Sequence, residues 1–248
     1  MKSRFLILAA LSLCCLGVLA ADEAAPAKIK IILVGDSTVN DRTGWGAGFK
    51  KLLTGQAVCI NTAAGGRSSK SFINEGKWTN ALALKGDYYL IQFGHNDEPG
   101  KGPDRETQPE TTYRANMERY VDDTRAIGAK PVLVTSLVRR SWDANGDGKI
   151  TSSLVPYVNV VKEIAAEKNV PLIDLHASSK ELCEQLGVEK CNELSPLNTS
   201  TNATGKFDNT HLNVKGSAVF ARLVAKGLVQ AVPELAPCLK PEEPAAGK

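Results

Sequence analysis

Histidine is scarce in this chain, with three residues in 248, so a site that moves protons through imidazole has few places to be. Aromatic residues make up only 6% of the sequence against 43% hydrophobic residues overall, a balance that suits one sizeable α/β domain. No C-x-x-C spacing occurs, which argues against a thiolate metal site. The G-x-S-x-G elbow of the α/β-hydrolases is also absent. No internal repeat or low-complexity block divides the chain, and beyond residue 20 no apolar run approaches a membrane span. Charge of one sign is lacking as well: 30 Lys and Arg stand against 27 Asp and Glu, and without Lys2 and Arg4 the balance is 28 against 27. Nothing there points to a nucleic-acid partner.

What the chain does have begins at its start. Lys2 and Arg4 precede an apolar run over residues 5–20, followed by small residues suited to cleavage near Ala20 or Ala21. Residues 1–20 therefore read as a signal peptide, and the protein as secreted or periplasmic. A membrane anchor is the rival reading, but it needs roughly 20 apolar residues. This run has sixteen, interrupted by Ser12 and Gly17. Lipidation at Cys14 is disfavoured by the preceding Leu13. Loss of the leader leaves Cys59, Cys183, Cys191 and Cys238, an even number that permits three disulfide pairings. Cys183 with Cys191 is the preferred pair, because they flank the short segment 184–190 with its helix-ending Gly187.

Residues 28–236 are expected to form the domain, and residues 237–248, with three prolines and few apolar residues, a flexible tail. Five short apolar runs, at 28–34, 57–61, 87–93, 130–135 and 170–174, read as buried strands. Helical stretches are expected over 45–53, 112–127, 152–168 and 214–232. Alternation of the two implies right-handed crossovers and a three-layer α/β/α sandwich around a five-stranded parallel sheet. Function gathers at the carboxyl ends of such strands. The loops that begin at Gly35, Asn61, Gly94, Ser136 and Leu175 are therefore the ones to search.

Gly35-Asp36-Ser37-Thr38 follows the first strand and presents a hydroxyl on its turn. Alone, such a serine is as well explained as a helix cap or an anion ligand. It is not alone. Residues 61–68 (NTAAGGRS) follow the second strand, Gly94-His95-Asn96-Asp97 follows the third, and Asp208-Asn209-Thr210-His211 precedes the last helix. Together these loops supply a nucleophile, a base, an orienting acid and oxyanion donors, the parts that acyl transfer needs.

These four blocks resemble those of the SGNH hydrolases, and more closely their rhamnogalacturonan acetylesterase branch, in the same order and over nearly the whole chain after the leader. The resemblance implies a flavodoxin-like SGNH hydrolase fold and a serine esterase that needs no cofactor and no metal. It implies Ser37 as nucleophile, His211 as base and Asp208 as its orienting acid, with the Ser37 amide, the Gly66 amide and the Asn96 side chain as oxyanion hole. Gly65 is the adjacent alternative to Gly66. The implied substrate is an acetylated plant cell-wall polysaccharide, rhamnogalacturonan first, handled by a monomer with neither a membrane nor a nucleic-acid partner.

Other residues admit plainer roles. His95 is expected to shape its loop and Asp97 to cap it, while His176 lies just after the fifth strand. Arg67 could contact an acidic sugar or form a structural salt bridge. Residues 143–148 (DANGDG) imitate the start of a calcium loop, but its twelfth position would be Leu154, so a polar turn between Trp142 and Ile150 is the better account. Two glycosylation sequons begin at Asn198 and Asn202. Two other readings remain open: a carbohydrate-binding homologue without turnover, and a flavodoxin-like nucleotide binder.

Overall fold

Each of the five apolar runs forms a strand of a single parallel sheet in the computed structural model, which describes residues 27–197 and 207–241. The strands are β1 (Ile29–Gly35), β2 (Ala57–Asn61), β3 (Tyr88–Gln92), β4 (Lys130–Val134) and β5 (Leu172–Ile173), in the order β2-β1-β3-β4-β5. β1 pairs with β2 on one side and with β3 on the other, with Leu33 opposite Asn61 and Leu90. The order thus reverses between β1 and β3. A sheet of this kind opens a crevice at such a switch point, beyond the carboxyl ends of the two strands.

Alternate residues of the strands supply two separate cores. Ile31, Leu33, Leu90, Val132 and Val134 face helices α1 (Gly46–Leu52), α6 (Leu175–Asn192, broken at Gly187) and α7 (Val214–Ala231). Ile32, Val34, Tyr89, Ile91 and Leu133 face α2 (Ser69–Asn74), α3 (Lys77–Ala83), α4 (Arg114–Ala126) and α5 (Val155–Glu167). Three layers result, as the alternation of strands and helices predicts.

α1 lies very close to α7. A Cβ on Gly48 would sit 2.3 Å from the Ser217 carbonyl oxygen and 2.8 Å from the Ala221 Cβ. The Gly48 amide donates to Ser217 Oγ at the same crossing. Gly48→Ala is therefore expected to wedge the two helices apart and to cost about 1–3 kcal/mol, the usual range for overpacking. Calorimetry should record a melting temperature several degrees lower, and an unchanged one would refute this close packing.

Several expectations need correction. The tail was expected to begin at Pro237, yet residues 237–241 pack against α1. The Thr54 amide donates to the Cys238 carbonyl, the Lys240 amide to the Leu52 carbonyl, and Leu53 forms a bridge with Leu239. Residues 242–248 lie outside the described residues, as do residues 1–20 and both sequons. Cys59, Cys183, Cys191 and Cys238 are all thiols. Cys183 and Cys191 are both buried and in mutual contact, but the expected bond between them is not formed. The Cys191 contact and then burial push the Cys183 thiol up. The turn between Trp142 and Ile150 is present, closed by a bridge between those residues and by the Asp143 amide donating to the Lys149 carbonyl.

Candidate active site

The turn after β1 is held from beneath by a buried chain of hydrogen bonds. Trp45 Nε1 donates to Gln92 Oε1 on β3, Gln92 Nε2 donates to Thr38 Oγ1, and Thr38 donates both its hydroxyl and its amide to Asp36 Oδ1. Thr43 Oγ1 donates to the Ser37 carbonyl from above. Ser37 itself stays half-buried at the mouth of a cleft of about 560 Å³.

The segment before α7 brings His211 to that hydroxyl. His211 Nε2 lies 2.8 Å from Ser37 Oγ, and Nδ1 lies 2.7 Å from Asp208 Oδ2. The second oxygen of Asp208 accepts the amides of Thr210 and His211, at 2.7 and 2.9 Å. Burial alone would raise the pKa of Asp208. The His211 ring and the two amides outweigh it and hold the carboxyl well below the ordinary range. Asn213 caps α7 by accepting the Gly216 amide, and the Leu212 amide donates to the Thr43 carbonyl, which ties this segment to the Ser37 turn.

Gly66 and Asn96 line the same cleft. Gly66 adopts φ +76°, a conformation that glycine takes at little cost. Asn96 Nδ2 donates to the Arg67 carbonyl, which fixes the carboxamide and leaves its second N–H available. Among the described residues neither the Ser37 amide nor the Gly66 amide has an acceptor, so both are available to an oxyanion. Gly65 does not line the cleft; its carbonyl accepts from Arg67 Nη1.

Arg67 also fails to reach the cleft, because its Nε is paired with Glu75 at 3.0 Å. The salt-bridge alternative is the one the structure forms. His176 lies away from the cleft with its Nδ1 against the Ser136 carbonyl, and burial lowers its pKa. His95 is buried at the cleft, and among the described residues neither of its ring nitrogens has a partner. Its Nδ1 stands 3.7 Å from Asp36 Oδ2, which is equally unpartnered. Burial pushes Asp36 up and His95 down.

Asp97 stitches its loop to α2 and to Thr107, accepting the Ser69 amide, the Ser69 hydroxyl and the Thr107 hydroxyl. Burial raises its pKa from 3.8 to about 7, against the lowering effect of the Ser69 and Thr107 donors. For an acid whose folded-state value lies above its unfolded value, the associated stability is complete below the unfolded value. It is then lost as pH rises through the folded one. The melting temperature of the wild type should therefore fall more steeply between about pH 4 and pH 7 than that of Asp97→Asn. Parallel melting curves for the two proteins would refute a neutral Asp97 in the fold.

Three residues lining the cleft, Lys101, Arg139 and Phe207, and Arg140 beneath it carry no signal in the sequence. Arg139 lines the cleft, pairs with Glu98 through Nε and Nη2, and donates to the His95 carbonyl and to Thr210 Oγ1. Arg140, buried beneath the Asp208 turn, donates to the carbonyls of Asp208 and His211. Both arginines lie on the loop that begins at Ser136, but their partners are side chains and backbone carbonyls scattered along the chain, which no motif announces.

A family profile described as the GDSL-like lipase/acylhydrolase family matches residues 33–219. The chain is 39% identical to a rhamnogalacturonan acetylesterase of Bacillus subtilis over 214 residues, 81% of this chain and 89% of the relative. It is 28% identical to the rhamnogalacturonan acetylesterase of Emericella nidulans, over 80% of this chain and 84% of that one. Among solved structures, the Bacillus subtilis protein YxiM superposes with a TM-score of 0.68 at 24% identity, covering 85% of this chain and 58% of that longer one. An acetylxylan esterase of Geobacillus stearothermophilus superposes with a TM-score of 0.58 at 16% identity, covering 82% of this chain and 93% of that one. At such identities the two structures speak for the shared fold alone.

Proposed function

The chain belongs to the GDSL-like lipase/acylhydrolase family and is a carboxylic ester hydrolase, and from that premise we propose that it removes O-acetyl groups from plant cell-wall polysaccharide, with rhamnogalacturonan as first substrate. The observation that carries this reading is the unbroken line Ser37 Oγ, His211 Nε2, His211 Nδ1, Asp208 Oδ2, with bonds of 2.8 and 2.7 Å.

In the proposed reaction Ser37 Oγ attacks the acetyl carbonyl carbon while His211 Nε2 takes its proton. Asp208 keeps the other ring proton on Nδ1, so that Nε2 is free to accept. The oxyanion of the tetrahedral intermediate is met by the amides of Ser37 and Gly66 and by Asn96 Nδ2. Collapse breaks the bond to the sugar oxygen, which leaves with the proton held on His211. Water then enters by the same steps, cleaves the acetyl-serine ester and releases acetate.

Acetylated sugar suits the cleft better than a lipid ester. Phe207, 43% exposed, is the one large apolar side chain among the described lining residues, and most of the others are polar. A fatty acyl chain would find too little apolar surface to bury. Export by residues 1–20 would bring the enzyme to a polymer too large to enter a cell.

The test is acetate release from a panel of acetylated rhamnogalacturonan, xylan and simple esters. Rhamnogalacturonan should give the highest kcat/KM. A higher value on xylan would move the substrate assignment, and release from simple esters alone would remove the polysaccharide altogether.

A further inference from the structure

We infer that Lys101 and Arg105 form an anion subsite beside the acetyl-binding cleft, and that it takes the carboxylate of a uronic acid in the acetylated polysaccharide. The inference rests on the acetylesterase reading and adds to it the charge of the substrate.

Lys101 lines the cleft together with Ser37, Gly66 and Asn96. Arg105 reaches the same edge, its Nη1 lying 3.9 Å from where a Cβ would stand on Gly66. Its guanidinium is anchored by Nε, which donates to the Lys101 carbonyl at 2.8 Å. The turn between them is closed by the amides of Arg105 and Glu106, both donating to the Gly102 carbonyl. Two half-buried cations are thus presented together, next to an amide proposed to meet the oxyanion.

Among the described residues neither cation is paired with a carboxylate within 4.0 Å, while every carboxylate beside them is already engaged or turned outwards. Glu98 is held by Arg139 and by Ser153 Oγ. Asp208 is held by His211 and two amides. Glu106 turns back on the Gly102 amide, and Asp104 is exposed. Arg67, the cation that the sequence offers for this task, is spent on Glu75.

A neutral acetylated sugar would leave this positive charge without a counterpart at the rim of the cleft. A uronate carboxylate would supply it, and a forked guanidinium receives carboxylate oxygens well. A galacturonate-containing polymer such as rhamnogalacturonan carries that group.

The experiment compares Lys101→Gln, Arg105→Gln and the double variant with the wild type on an acetylated galacturonate-rhamnose oligosaccharide and on acetylated xylooligosaccharide, which is neutral. Each substitution should lower kcat/KM on the acidic substrate about tenfold, chiefly through KM, as expected for loss of a charge-assisted contact. The double variant should lose at least tenfold more on the acidic than on the neutral substrate, and added salt should narrow that gap in the wild type. Equal losses on the two substrates, or no loss on the acidic one, would overturn the subsite. Calorimetric titration of Ser37→Ala with the de-acetylated galacturonate-rhamnose oligosaccharide separates this inference from the one it rests on. Should the wild type release acetate from no saccharide, the acetylesterase reading fails. Binding that disappears with the two cations would still support the subsite, and absence of binding would overturn it.

Discussion

Ser37→Ala is expected to lower acetate release by about 10⁴-fold or more, the scale at which serine hydrolases lose turnover without their nucleophile. The substitution removes one oxygen whose described partner is the His211 ring. The supports of the turn remain, because the Ser37 carbonyl still accepts from Thr43 and the chain from Trp45 to Asp36 bypasses residue 37. Melting temperature should therefore stay close to that of the wild type, so the loss belongs to the reaction and not to the fold. Acetate measured from an acetylated oligosaccharide decides the matter, and activity within tenfold of the wild type would remove Ser37 from the role of nucleophile.

Asp208→Asn should cost a similar amount, on the order of 10⁴-fold in kcat, by a different route. Asparagine can keep one oxygen for the amides of Thr210 and His211, which now bond to Asp208 Oδ1. Its NH₂ group then faces His211 Nδ1, which has to become an acceptor, and the ring proton moves to Nε2. An Nε2–H donates to Ser37 instead of taking its proton, so the hydroxyl is no longer activated. The geometry survives while the direction of the hydrogen bonds reverses. Nitrogen NMR of the His211 ring should show the proton on Nδ1 in the wild type and on Nε2 in Asp208→Asn. A variant with the wild-type tautomer and near-normal kcat would show that Asp208 does not orient the base.

The fold was legible because parallel strands are buried on both faces and so appear as unbroken apolar runs. β2 falls on residues 57–61 as expected, whereas β5 shrinks from five expected residues to Leu172–Ile173 at the sheet edge, where only β4 is available to pair with it. Three helices escaped the reading. α2 and α3 are only six and seven residues long, and α6 is interrupted by Gly187 at φ 75°. A capping box at Ser68 does mark the start of α2, but with Ser71 in place of the usual Glu or Gln. Of the site, Ser37, Gly66, Asn96, Asp208 and His211 were legible through their motifs, and all five line one cleft. Lys101 and Arg105 were not, since they come to the cleft through the path of a loop and not through a motif.

Arg140 places a constraint on the whole molecule. It reaches from the loop after β4 to grip the carbonyls of Asp208 and His211, while the Leu212 amide is fastened to the Ser37 turn. The Asp208–His211 segment is therefore clamped at two points by elements from the middle and the beginning of the chain. Detaching either clamp releases the imidazole before the sheet itself has opened. Partly loosened forms of this protein should be inert, and its turnover a sensitive gauge of native structure.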